Sequence, residues 1–238
     1  MRSDSLTPPE NGFYSALSEP NRAIHTSDAS ADDPLAAPQK LTAKMILDYA
    51  LASAALILFA PLLLAVALAV TLDSPGPVLF RQPRRGLNGR SFDLFKFRSM
   101  HVHQAELSVL KQTFRNDARV TRVGRWLRRL SLDELPQLFN VLRGEMSLVG
   151  PRPHAFNTRV EGELLPALSA AYARRYSVKP GITGWAQVNG ARGPLLRRED
   201  LRKRIAYDLV YIQNQSVAFD LKIIVLTATR EIISKSAF

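Results

Sequence analysis

The residues best suited to chemistry lie between Arg128 and Arg152. Two adjacent carboxylates, Asp133 and Glu134, have Arg128 and Arg129 before them and Arg143 and Arg152 after them. Acids set among arginines suit an anionic substrate that arrives with a divalent metal, because the cations hold the anion while the acids hold the metal. A blander role competes. Asp133 could be a helix cap, which locally is the commoner use of such an aspartate, with Ser131–Glu134 read as a capping box or Asp133 itself as N-cap before Pro136. Arg152 stands between Pro151 and Pro153, so it loses less freedom on binding. Lys96 and Arg98 alternate with Phe95 and Phe97, which places both cations on one face of a strand, as a site or as solvated surface. His101 and His103 have only His25 and His154 for company, too few for a histidine metal site.

The elements that must position these residues follow from pattern. Residues 1–39 are rich in Pro, Ser, Ala and Asp and read as a disordered tail; they lack the basic start and apolar run of a signal peptide. Residues 49–72 contain no charged residue. A helix of that length reaches about 36 Å, enough to cross a hydrocarbon core of about 30 Å. Pro61 near its centre predicts a kink, so the segment either spans or bends and returns, and flanking charges do not decide. Val78–Arg81 and Phe92–Phe97 read as strands joined through an Asn88-Gly89 turn. Residues 104–130 form a basic amphipathic stretch suited to a membrane surface or a polyanion. A short helix is predicted after Asp133, closing at Arg143-Gly144. Leu164, Leu168, Tyr172 and Tyr176, spaced by fours, predict a second helix within 156–178. Lys179–Trp185 reads as a loop, 197–214 as a charged helix, and 219–226 as an apolar run too short to span.

The chain has 238 residues and a net charge of +11. The first 39 residues hold two basic side chains against six acidic ones, so the rest carries +15. That excess implies an anionic partner. Cysteine is absent, which excludes disulfides and thiolate metal sites. No phosphate loop, GxGxxG, HExxH or GxSxG motif is present.

Five stretches together resemble one family. They are LFAPLLL in the apolar segment, VLFRQPRRGLNGRSFDLFKFRSM, RLSLDELPQLFNVLRGEMSLVGPRP, VKPGITGWAQVNG and YDLVYIQNQSVAFDLKII, covering most of residues 44–228. Their order is that of the bacterial sugar transferases, the monotopic phosphoglycosyl transferases. The chain is most similar to the branch that starts exopolysaccharide chains with glucose 1-phosphate. The resemblance implies transfer of a sugar 1-phosphate from a UDP-sugar donor to undecaprenyl phosphate with release of UMP. It implies Asp133 as nucleophile, Glu134 as its partner holding Mg²⁺, and Lys96, Arg128 and Arg152 around the phosphates. It also implies a re-entrant helix, broken in the family at Ser-Pro where this chain has Ala60-Pro61.

The expected architecture is therefore a mixed α/β fold, mostly helical with a small hairpin. A tail (1–39), a membrane re-entrant helix (40–72) and a catalytic domain (73–238) divide the chain, which would correspond to the catalytic part of longer family members. The expected location is the cytoplasmic face of a bacterial inner membrane, in contact with lipid, with no nucleic-acid partner and with a homo-oligomer left open. Galactose or an acetamido sugar in place of glucose is the nearest alternative. An alternative of another class is a non-catalytic, membrane-anchored binder of anionic lipid or nucleic acid, although a merely basic surface does not explain the acidic pair inside the arginine cluster.

Overall fold

A computed structural model describes residues 42–102 and 117–233. The tail expected at 1–39, His25, His103 and the first part of the 104–130 stretch lie outside the described residues.

Helix α1, Ala43–Asp73, begins where Thr42 Oγ1 accepts the Met45 N–H and runs without interruption through Pro61. Its 31 residues reach about 46 Å. Strands β1 (Leu79–Arg85) and β2 (Ser91–Phe97) pair antiparallel. The turn between them places Asn88 at φ 54° and Gly89 at φ 76°, the left-handed values that this dipeptide tolerates. Helix α2 (Arg122–Arg129) follows, then a 3₁₀ turn at Leu132–Glu134 and helix α3 (Gln137–Leu142).

Strand β3 (Ser147–Val149) pairs in parallel with β6 (Gly181–Thr183). The stretch expected to be a loop around Lys179–Trp185 thus contains a strand. Gly181 is required there, because a Cβ would lie 2.0 Å from the Gly150 nitrogen. This close approach fixes the chain as it enters Pro151–Arg152–Pro153.

The helix expected within 156–178 forms only as 3₁₀ turns and not as an α-helix. Glu161 (φ 51°) and Gly162 (φ 83°) turn a hairpin between β4 (Arg159–Val160) and β5 (Glu163–Leu164), and 3₁₀ runs follow at Leu165–Leu168 and Ala170–Ser177. Helices α4 (Trp185–Val188), α5 (Arg198–Gln213) and α6 (Val217–Ile233) complete the described chain. Asp200 stabilises the start of α5 by accepting the Leu196 and Arg197 N–H groups.

Packing ties these pieces to one another. Leu201, Ile205 and Leu209, one face of α5, are buried against Leu165 and Tyr172. Tyr211, Trp185, Phe219 and Ile223 form a second cluster. Burial of each such side chain contributes about 1.5–3 kcal/mol. Asn140, fully buried on α3, accepts the Phe95 N–H and donates to the Asp93 carbonyl, which sets α3 against β2.

Helix α1 is held at both ends. Near its start, Lys44 donates to Asp220 at 2.6 Å and Asp48 accepts the Leu148 N–H. Near its end, Val66 and Val70 are buried with Phe97 and Leu127, and Asp73 accepts the Val123 N–H. Residues 57–62, between these anchors, are exposed all round.

Candidate active site

A cleft of about 730 Å³ opens between the β1–β2 hairpin, the Leu132–Glu134 turn, the Pro151–Arg159 segment and the loop after α4. Lys96, Arg128, Asp133, Glu134 and Arg152 all line it, so residues from well-separated parts of the sequence meet in one place. Eight arginine or lysine side chains face three carboxylates along its walls. Such an excess of positive charge in a concave site concentrates anions.

The acidic pair is presented by an unusual local backbone. Ser131 is left-handed at φ 55° and its side chain makes no cap bond to the turn. Its Oγ instead accepts from Arg192 Nη2 at 3.0 Å across the cleft. Pro136, at φ −60°, starts α3, where its missing N–H costs little. The capping box on Ser131 is therefore not formed, and Asp133 is not the N-cap of α3. The left-handed Ser131 and the 3₁₀ turn displace Asp133 from the position where a cap would reach the first helical N–H groups.

The two carboxylates have opposite surroundings. Glu134 is gripped by Arg152, whose Nη1 donates to Oε2 at 2.8 Å and whose Nη2 donates to Oε1, and by Lys96 Nζ, which donates to Oε1 at 2.8 Å. Burial opposes its charge, but Arg152 and Lys96 outweigh that and hold the carboxyl well below its usual range. Asp133 is 6% exposed and accepts no hydrogen bond among the described residues. Burial pushes its pKa up, Lys96 draws it back, and the neighbouring Glu134 charge adds to the rise. The buried aspartate is the unengaged, more basic carboxylate of the pair.

Arg128 turns its Nε to Ser99 Oγ at 2.8 Å, and burial lowers its pKa. Arg98, expected beside Lys96, also lines the cleft, but its Nη2 donates to the Val70 and Ser74 carbonyls at the end of α1. It joins the apolar helix to the site.

Behind Arg152 lies a polar network that sequence reasoning missed. Arg175 is buried and donates from Nε to Asp208 at 2.7 Å and from Nη2 to the Arg152 carbonyl at 2.6 Å. Arg84 donates to the Pro153 carbonyl at 3.2 Å. His154 meets Tyr172, Arg175 and Arg204. These side chains come from β1, the Pro151–Arg159 segment, a 3₁₀ run and α5. Only the alternation of Arg84 with Gln82 on a strand, or Arg204 and Asp208 one helical turn apart, could have hinted at them.

Asp133 and Glu134 are the adjacent carboxylates of the cleft that could hold a divalent metal. Mg²⁺ takes one or two carboxylates when phosphate oxygens supply further ligands, and Asp133 and Glu134 provide two adjacent ones. No cluster of three or more metal-binding side chains occurs among the described residues, so the remaining ligands would come from substrate and water.

The family model for bacterial sugar transferases matches residues 39–234. An undecaprenyl-phosphate glucose phosphotransferase of Komagataeibacter xylinus is 61% identical over 183 residues, covering 77% of this chain and 34% of that protein. The exopolysaccharide production protein PSS of Rhizobium leguminosarum bv. phaseoli is 46% identical over 198 residues, covering 83% of this chain and 99% of that protein. A UDP-N-acetylgalactosamine-undecaprenyl-phosphate N-acetylgalactosaminephosphotransferase of Aeromonas hydrophila is 43% identical over 183 residues, covering 76% of this chain and 41% of that protein. The chain thus spans well under half the length of the first and third of these relatives. The match over residues 39–234 encloses the acidic pair, the cationic cleft and the apolar helix, and the chain belongs to the bacterial sugar transferase family.

Proposed function

We propose that the protein transfers glucose 1-phosphate from UDP-glucose to undecaprenyl phosphate and releases UMP, the first step of an exopolysaccharide repeat unit. The observation that carries this reading is the asymmetry of the acidic pair: Glu134 is clamped by Arg152 and Lys96, while the buried Asp133 beside it is unengaged. Glucose is favoured because the relative named for it is 61% identical, against 43% for the relative named for N-acetylgalactosamine.

In the first step an Asp133 oxygen attacks the β-phosphorus of UDP-glucose. A P–O bond forms to the aspartate, and the bond to the bridging oxygen breaks. UMP leaves with that oxygen and its electron pair. In the second step a phosphate oxygen of the lipid attacks the phosphorus of the aspartyl adduct, and the carboxylate is restored. Lys96, Arg128 and Arg152 bind phosphate oxygens and orient them, with the arginines able to do so bidentately. Arg152 and Lys96 also keep Glu134 ionised. Glu134 would hold Mg²⁺, which supplies positive charge that reduces repulsion between the donor pyrophosphate and the attacking carboxylate.

The acceptor's headgroup lies at a membrane surface, and α1 meets that requirement. It is long and apolar enough to enter a bilayer, yet both of its ends are bonded to the same domain. We propose that residues 57–62 dip into the cytoplasmic leaflet of the inner membrane and that the flanking domain rests on that leaflet.

The test is a panel of UDP-sugars with and without undecaprenyl phosphate, following UMP release and lipid-linked product. Turnover with UDP-glucose that requires the lipid is expected. Preference for UDP-galactose or a UDP-acetamido sugar would overturn the sugar assignment, and no lipid-linked product with any donor would overturn the reaction.

A further inference from the structure

The far wall of the cleft presents hydrogen-bond donors that have no acceptor. His154 stands between the guanidinium groups of two buried arginines. Arg175 Nη1 points at its Nδ1 at 3.0 Å, and Arg204 Nη1 points at its Nε2 at 3.3 Å. A guanidinium only donates, and a neutral imidazole has one N–H and one accepting nitrogen. The shorter contact belongs to Arg175, which Asp208 and the Arg152 carbonyl lock in place. Nδ1 is therefore the acceptor, and it also lies 2.9 Å from the Tyr172 hydroxyl. The proton then sits on Nε2, where it faces the N–H of Arg204. Burial and the charges of Arg175, Arg204, Arg84 and Arg152 keep the ring neutral, so a second proton does not resolve the arrangement.

Two donors that meet leave their hydrogens without an acceptor, and one oxygen lying beside the pair could accept from both. A third donor lies on the same wall: Arg84 Nε is buried without a hydrogen-bond partner. Burial, with Arg152 adding to it, lowers the Arg84 pKa to about 10. Burial lowers Arg204 to about 10 as well, with the Asp208 charge opposing. Arg84, His154 and Arg204 all line the cleft that holds the acidic pair. A buried donor without an acceptor is costly, so a wall that carries such donors suits an anion.

We infer that Arg84, His154 Nε2–H and Arg204 form a second anion subsite, separate from the Lys96–Arg152 clamp on Glu134, that takes the oxygens of a phosphate monoester. The subsite stands on its own geometry; only the identity of its occupant rests on the proposed transfer reaction. Within that reaction the phosphate of the leaving UMP and the phosphate of the lipid acceptor share this chemistry.

The test measures binding to the full-length protein in nanodiscs, with UMP, uridine and a short-chain polyprenyl phosphate as probes. Arg84→Gln and His154→Phe remove donors and leave Asp133 and Glu134 in place. Each is expected to weaken phosphate binding about tenfold or more, the usual loss for a charge-assisted bond, while uridine binding is unchanged. Weakening confined to UMP assigns the subsite to the nucleotide phosphate, and weakening confined to the lipid assigns it to the acceptor. Unchanged affinity for both phosphates in both variants overturns the subsite. A measurement on the unaltered protein guards against misfolding of the variants. With ¹⁵N-labelled histidine, the His154 Nε2 resonance is expected to carry the proton and to shift on phosphate binding. A protonated Nδ1, or no shift at saturation, overturns the inference. Phosphate binding at His154 in a protein that makes no lipid-linked sugar would leave the subsite standing and sink the transfer reaction.

Discussion

Arg175 donates to the backbone carbonyl of Arg152 at 2.6 Å, and through that bond a buried ion pair controls a residue of the active cleft. Asp208 fixes Arg175 at 2.7 Å, and Arg152 in turn grips Glu134. Arg175→Lys keeps a cation beside Asp208 and loses the donor to Arg152. It is expected to lower kcat/KM at least about tenfold with little change in melting temperature, since one charge-assisted bond is lost. Asp208→Asn leaves Arg175 buried without its counter-charge and is expected to cost about 3–5 kcal/mol of stability. Steady-state kinetics beside thermal melts distinguish the two effects.

Asp133→Asn is expected to abolish turnover, by roughly 10⁴ or more. It should also raise the melting temperature, because it replaces a buried carboxylate that accepts no hydrogen bond among the described residues. A stabilised, inactive variant identifies a residue retained for chemistry. Mass spectrometry of the wild type with UDP-glucose alone is expected to show a hexose-phosphate adduct on the peptide containing Asp133. Near wild-type turnover in the variant would exclude Asp133 as nucleophile.

Much of this site was legible before the fold was known, and the reason is local. Asp133, Glu134 and Arg152 lie within one short stretch, and Lys96 is marked by alternation on a strand that follows an Asn-Gly turn. Arg84, His154, Arg175 and Asp208 left a weaker trace, because they come from separate parts of the chain and acquire their roles only where those parts pack together. The i, i+4 spacing of Leu164 to Tyr176 misled for a physical reason. The left-handed Glu161 and Gly162 make a hairpin, and the tighter 3₁₀ winding that follows buries Leu165, Ala171 and Tyr172 instead.

Acid is expected to remove activity before it removes the Glu134 ion pair. Asp133 has a folded pKa above its ordinary 3.8, so its stabilising contribution exists below that pH and is lost as pH rises through the folded value. Glu134 has the opposite sign. Its folded pKa lies well below 4.5, so its contribution is present above pH 4.5 and is lost as pH falls through the depressed value. A nucleophilic carboxylate must be ionised, so the acid limb of kcat/KM should fall above pH 3.8. Melts over the same range should still show the Glu134 contribution. Coincident loss of activity and stability would contradict this order.

Chelation is expected to stop turnover, and Mg²⁺ to restore it. Glu134→Gln should weaken the metal dependence and also release Arg152 and Lys96, which now donate to its carboxylate. Titrating Mg²⁺ into EDTA-treated protein during turnover checks this. Undiminished activity without metal would remove that role from Glu134.

The last prediction concerns where the two ends of α1 lie. A straight crossing would carry Lys44 to the opposite side of the bilayer from the domain. Yet Lys44 donates to Asp220 at 2.6 Å, and Asp48 accepts the Leu148 N–H at 3.0 Å, both partners belonging to that domain. At the other end Asp73 accepts the Val123 N–H at 3.1 Å. Breaking these two partly buried polar contacts to carry the N-terminus across would leave Asp48 and Asp220, both buried, without those partners, which is costly. Pro61 points the same way. It lies in the stretch 57–62 that is exposed on every side, and it removes a backbone donor where lipid offers no replacement. A shallow insertion keeps that weak point near interfacial water. Both flanks are therefore expected on the cytoplasmic side. The native sequence has no cysteine, so single labels report cleanly. Ser30→Cys and Ser234→Cys, treated with a membrane-impermeant maleimide on intact spheroplasts, should both be protected and should both react after lysis. Labelling of Ser30→Cys alone in intact cells would show that α1 spans.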